Sequence, residues 1–139
     1  MATQTENKAQ ENPALKAVSA DMLQTLGEVA FVATSCGLWN HAEDIFNGIK
    51  AVRPWSELPV ISQALARMSV FDDGRAIELL SNEALAINPD NQIAKAFLGM
   101  ALKRCGFAQK AQETLEAVIE NASDERAVEV AKTVMAEKF

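Results

Sequence analysis

The sequence has one histidine and two cysteines, the side chains best equipped for acid–base, nucleophilic or metal chemistry. They cannot supply a usual zinc ligand set. His41 follows the polar Asn40 at the start of an apolar-periodic stretch and has no nucleophile near it in the sequence. It reads as a solvent-facing residue at a helix start. Carboxylates could act in pairs, but Glu113, Glu116, Glu120, Asp124, Glu125 and Glu129 recur at helical spacing, which describes a solvated helix face. No Gly-rich phosphate loop, metal-ligand spacing or nucleophile constellation is present. The expectation is a protein that is not an enzyme and holds no cofactor or metal. The chemistry left to it is burial of apolar surface against a partner.

The elements that would position such a surface are helical. Of the 139 residues, 49% are apolar and 23% charged, a globular balance with room for one domain. Tyr is absent and Ala, Leu, Glu and Lys are abundant, which favours helix. A net charge of −6 argues against duplex nucleic acid or an anionic membrane as partner, since both are polyanions. No apolar run reaches the ~18 residues of a membrane span. The polar start MATQTENKAQEN is no signal peptide, so a cytoplasmic location is expected. Residues 1–12 read as a disordered tail, and residues 13–139 as one helical domain. Asn12-Pro13 is a helix start, with a possible break around Ser19–Asp21, and Asn40 with Glu43 forms a capping-box pattern. Helices are expected over 13–36, 40–53, 57–70, 73–88, 90–105, 108–122 and 124–138.

The sequence repeats itself. When Ala42, Ala76 and Ala111 are superimposed, each is followed four residues later by a large apolar residue: Phe46, Leu80 and Leu115. Gly37 and Gly106 stand five residues before two of these alanines, and Pro54 and Pro89 close the first two units. A helical hairpin needs a small residue where its helices touch and a large one a turn later, which explains the recurrence. Units begin near Leu23, Glu57 and Gln92 and cover 23–56, 57–91 and 92–123, with 124–139 as a cap. The second unit is one residue longer, the extra residue falling between Leu80 and Pro89. Gln63 and Arg67 in that unit stand where larger apolar residues are usual. The pattern resembles the tetratricopeptide repeat, most clearly at Leu98-Gly99, Leu102, Gly106, Ala111 and Leu115. The resemblance implies an all-α, right-handed solenoid of three helical hairpins plus a C-terminal capping helix.

In that family the partner-contacting positions are the second, fifth, ninth, twelfth and thirteenth of each unit. On this chain they are Gln24, Gly27, Phe31, Thr34 and Ser35, then Leu58, Ile61, Leu65, Met68 and Ser69, then Ile93, Ala96, Met100, Lys103 and Arg104. The apolar ones would form a concave face, with Phe31, Leu58, Ile61, Leu65, Met68, Ile93, Ala96 and Met100 as partner contacts and Lys103 and Arg104 at its end. Such a face suits an amphipathic helix or an extended apolar strand. It would also favour self-association in the absence of a partner. Three states are open on the sequence: a groove free for a partner, one filled by the chain's own segment from Pro13, or first-helix residues that face the core instead. Relatives that bind acidic carboxyl termini carry Lys and Asn at the fifth and ninth positions. Gly27 and Phe31 stand there in unit one, so that clamp is absent.

Overall size, acidic charge, Ala42-Glu43-Asp44-Ile45-Phe46 leading to Val52-Arg53-Pro54, then Leu58-Pro59 and Ala76-Ile77-Glu78-Leu79-Leu80, resemble the small needle-subunit chaperones of type III secretion. That resemblance implies a cytosolic chaperone that covers an amphipathic helix of a secreted subunit and blocks its premature polymerisation. A small helical co-chaperone would be a further partner. The alternative is a scaffold or adaptor subunit docking proteins in a larger assembly. Cys36 and Cys105 occupy equivalent positions two repeats apart, too far for a disulfide, and read as packing residues at helix ends. Trp39 and Trp55 flank one helix, either as turn packing or as a contact for a second protein.

Overall fold

The computed structural model describes residues 18–138. The polar tail and the Asn12-Pro13 helix start lie outside the described residues. Among those described are seven helices and no strand. Three hairpins follow one another: α1 (Ala20–Ser35) with α2 (Trp39–Val52), α3 (Leu58–Ser69) with α4 (residues 73–87), and α5 (Gln92–Arg104) with α6 (Ala108–Asn121). A last helix, α7 (Glu125–Ala136), packs on both α5 and α6. Each first helix also touches the hairpin before it, α3 lying on α1 and α2, and α5 on α3 and α4. The architecture is the expected helical-hairpin solenoid.

Local chemistry sets the helix ends. The break around Ser19–Asp21 is a cap: Ser19 Oγ accepts the Met22 N–H at 3.1 Å. Asn91 Oδ1 accepts from Ala94 N at 2.9 Å to start α5, and Asp124 Oδ1 from Arg126 N at 3.0 Å to start α7. The expected Asn40–Glu43 box does not form. Helix α2 starts at Trp39 with Leu38 at the cap and no side-chain bond there. Glu43 is drawn inward instead, accepting from Arg67 Nη2 at 2.6 Å and Gln63 Nε2 at 2.5 Å. A charged partner outcompetes a backbone amide.

Inside each hairpin Ala42, Ala76 and Ala111 are buried, and so are Phe46, Leu80 and Leu115 one turn on. The facing positions on the first helices are small: Ala30, Ala64 and Gly99, all buried. At Gly99 the approach is closest, where an added β-carbon would stand 2.5 Å from Leu115 Cδ2. The two polar departures in the middle unit have partners. Buried Gln63 receives a hydrogen bond from Lys50 Nζ at 3.0 Å, and Lys50 also pairs with Glu83 at 3.1 Å. Arg67 pairs with Glu43 and with Asp72 at 3.3 Å, and its guanidinium lies 5.7 Å from the Trp39 ring centroid. One connected network thus joins α2, α3 and α4, and satisfied polar groups of this kind are tolerated inside a core. Cys36 and Cys105 are exposed, contrary to the packing role expected, because each ends its helix at the solvent edge beside a glycine turn.

Candidate functional site

A groove of about 650 Å³ opens between α1, α2 and the start of α3. Its origin is a missing side chain. Gly27 faces it, and a β-carbon built there meets nothing within 4 Å. Through that gap the groove reaches down to Phe46 and Ile49 of α2. Leu23 and Phe31 of α1 form one wall, and Leu58, Pro59 and Leu65 of α3 the other. Trp55, in the α2–α3 loop, closes one end. The polar groups on the lining are Gln24, Glu28, Arg53, Ser56 and Ser62.

Arg53 is held at the Trp55 end. Its Nη2 donates to the Val18 carbonyl at 2.9 Å and its Nη1 to Val52 O at 3.3 Å. The guanidinium lies 5.6 Å from the Trp55 ring centroid. No carboxylate among the described residues pairs with it. Glu28, farther along α1, accepts only from Gln24 Nε2 at 3.3 Å.

Of the ten partner positions expected from the repeat register, Phe31, Leu58 and Leu65 come together on this groove. The rest do not join them. Ile61 and Met68 are buried in the cluster shared by α3, α4 and α5, because they face the next hairpin. Ala96 is wholly buried, and Ile93 and Met100 pack half-buried against a cluster to which α7 contributes Ala127, Ala131 and Val134. Lys103 and Arg104 serve the fold. Lys103 Nζ donates to the Val134 carbonyl at 2.7 Å and also to Glu137 O at the end of α7, where a cation complements the exposed carbonyls. Arg104 donates to Met68 O at 3.2 Å, pairs with Asp73 at 3.3 Å and lies 5.1 Å from the Phe71 ring centroid. Burial pushes the Asp73 carboxyl above its ordinary value against the pull of Arg104.

Ten groove residues escaped the register, among them Phe46, Ile49, Arg53, Trp55 and Ser62. They lie on the second helix, on the connecting loop, or at uncounted positions of α1 and α3. The signal that could have found them is Gly27, a gap in a row of large side chains. Trp39 and Trp55 have different surroundings. Trp39 Nε1 donates to the Thr34 carbonyl at 3.1 Å and staples its own turn, whereas Trp55 is groove wall. His41 is exposed. Among the described residues, no group of three or more His, Cys, Asp or Glu side chains is placed to hold a metal ion. No helix among them is long and apolar enough to cross a membrane.

No family model and no curated protein matches the sequence. Solved structures match the fold. The chain is similar to the first tetratricopeptide domain of Spaghetti (RPAP3) bound to the HSP90 peptide SRMEEVD, with a TM-score of 0.63 and 18% identity over 85% of this chain and 94% of that one. It is similar also to the Sgt2 tetratricopeptide domain from Aspergillus fumigatus, with a TM-score of 0.63 and 19% identity over 86% of this chain and 80% of that one. The chain therefore has the fold of a tetratricopeptide-repeat domain.

Proposed function

We propose that this protein is a binding module that takes an apolar, amphipathic segment of a partner protein into the groove between α1 and α3. The observation that carries the reading is the hollow at Gly27, floored by Phe46 and Ile49 and walled by Phe31, Leu58 and Leu65. Leu58 is 64% exposed and Phe31 39% exposed, so covering them would supply a hydrophobic driving force. The peptide-bound RPAP3 domain supports a peptide guest in kind. The guest differs in chemistry, because Gly27 and Phe31 are neutral. A docking subunit of a larger assembly is the general form of this reading. The specific form is a cytoplasmic chaperone that shields the amphipathic helix of a secreted, needle-type subunit. It is supported by the resemblance of residues 42–54 and 76–80 to that family and by the apolar lining.

The test is a titration with a synthetic Leu/Ala-rich amphipathic peptide about four helical turns long. Gly27→Leu puts a side chain into the hollow, where a β-carbon meets nothing within 4 Å, and replaces a mid-helix glycine, so stability should rise by about 1 kcal/mol. Binding should fall tenfold or more, on the order of 1.4 kcal/mol. Leu65→Glu would place an unpaired carboxylate against an apolar guest and weaken binding by about a hundredfold. Glu116→Lys, on the solvent face of α6, should change little beyond a salt-dependent effect. Full binding by a folded Gly27→Leu protein would sink the groove as the site. Co-purification of a small secreted helical protein in stoichiometric complex would favour the chaperone form, and capture of a resident assembly subunit the scaffold form.

A further inference from the structure

The groove has a charge direction, and Arg53 sets it. At the Trp55 end, Arg53, the first residue of α1 (Ala20) and the start of α3 (Ser56, Leu58) line the same space. The N-termini of a 16-residue and a 12-residue helix converge there and contribute positive potential, against the negative C-terminus of the 14-residue α2 that Arg53 caps. Arg53 adds a full charge with no acidic partner among the described residues. Its two hydrogen bonds leave Nε–H and one hydrogen on each terminal nitrogen unused, a geometry suited to a carboxylate. The nearby acids are turned elsewhere. Glu57 accepts from Asn88 at 2.9 Å and Asn91 at 2.8 Å, and Asp21 does not line the groove. Farther along the groove the one ionisable group among the described lining residues is Glu28.

We infer that the groove selects an amphipathic segment carrying an Asp or Glu side chain over Arg53. The inference rests on the groove being the binding site, and it adds a specificity determinant outside the helix positions that usually contact partners. Arg53 caps the second helix of its hairpin, and the Trp55 ring centroid lies 5.6 Å from its guanidinium. Being held in place, Arg53 loses little freedom when it pairs with a guest carboxylate. In a chain of net charge −6, a groove cation that donates only to carbonyls and has no carboxylate partner among the described residues discriminates between otherwise equal apolar guests.

Two amphipathic peptides, blocked at both termini and differing by one terminal-turn Glu or Gln, provide the test on the full chain. The Glu peptide should bind the wild type about tenfold more tightly at low salt, and the gap should narrow as salt rises. In Arg53→Gln the Glu peptide should lose its advantage, so that the gap between the two peptides vanishes whatever their common affinity becomes. In Arg53→Lys a reduced gap should remain, since charge is kept and the planar fork is lost. Equal binding of the two peptides by the wild type, or a gap that survives Arg53→Gln, would overturn the assignment. So would a preference seen only for a Gln peptide with a free C-terminus, which assigns Arg53 to terminal carboxylates. Gly27→Leu separates the two levels of the argument. If it blocks both peptides and no Glu preference exists, only the role of Arg53 fails. If it blocks neither, the groove reading fails with it.

Discussion

Phe71 holds a backbone conformation that two glycines hold elsewhere in the same molecule. It stands five residues before Ala76, as Gly37 does before Ala42 and Gly106 before Ala111. The three φ angles are 62°, 79° and 88°, all left-handed. For a residue with a β-carbon that conformation costs about 1–2 kcal/mol. Phe71 recovers little by burial, being 82% exposed. Its compensation is the Arg104 guanidinium over its ring, which at an exposed site contributes about 0.5–1 kcal/mol. Strain outweighs the contact, so Phe71→Gly should raise unfolding free energy by up to about 1 kcal/mol in a denaturant titration. Phe71→Ala keeps the strain and loses the ring, and should be slightly destabilising. A less stable Phe71→Gly protein would mean that the Arg104 contact dominates. The glycines were legible in the sequence as turn markers. Phe71 was not, because nothing local distinguishes a phenylalanine in a left-handed turn from one in a core.

Helix α4 shows how a repeat absorbs an insertion. The sequence places one extra residue between Leu80 and Pro89, and there the helix widens into a π segment, Leu79–Ala84, with Leu85 N–H bonding back to Leu80 O. A π turn holds one more residue than an α turn, so both flanks keep their register and Leu79, Leu80 and Ala84 all remain buried. Deleting the exposed Ser81 should therefore leave a continuous α-helix, with helicity kept and stability changed by less than about 1 kcal/mol. Deleting the equally exposed Glu116 from the regular α6 should be far worse, because it rotates Val118 out of the core by about 100°. Such a loss should reach several kcal/mol. If thermal melts show the two deletions to be equally harmful, the π segment is more than an absorbed residue. Seven helices and their small-to-large contacts were readable because periodicity and caps are local. The groove was half readable. Phe31, Leu58 and Leu65 follow from the register, but how far successive hairpins cover Ile61, Met68 and Ala96 depends on the pitch of the stack. That pitch is set by contacts distant in sequence.

Among the described residues the stack is covered at one end and uncovered at the other. On α3, the positions Gln63 and Ala66 are each 1% exposed, because α2 lies over them. Their register equivalents on α1, Val29 and Val32, are 50% and 60% exposed, since no described hairpin precedes them. At the far end α7 covers α5 and α6. Between these ends the hairpins are joined by long-range polar ties as well as by apolar contact, and one of them titrates. Glu57, at the start of α3, accepts hydrogen bonds from Asn88 and Asn91 in the α4–α5 turn. Burial pushes its carboxyl upward, but the two amide donors and its own backbone N–H outweigh burial and hold it below its ordinary value of 4.5. The folded chain therefore binds this proton less readily than the unfolded chain. The stabilisation is complete above pH 4.5 and is lost as pH falls through the folded-state value. Glu57→Gln removes the charge and should lower Tm at neutral pH. The gap between the two proteins should close on acidification below pH 4.5, where the wild type carries a protonated carboxyl as well. Paired thermal melts from pH 7 to pH 3 measure this gap. A gap that stays constant across the range would show that Glu57 acts through packing alone, and that the tie between the second and third hairpins is independent of its charge.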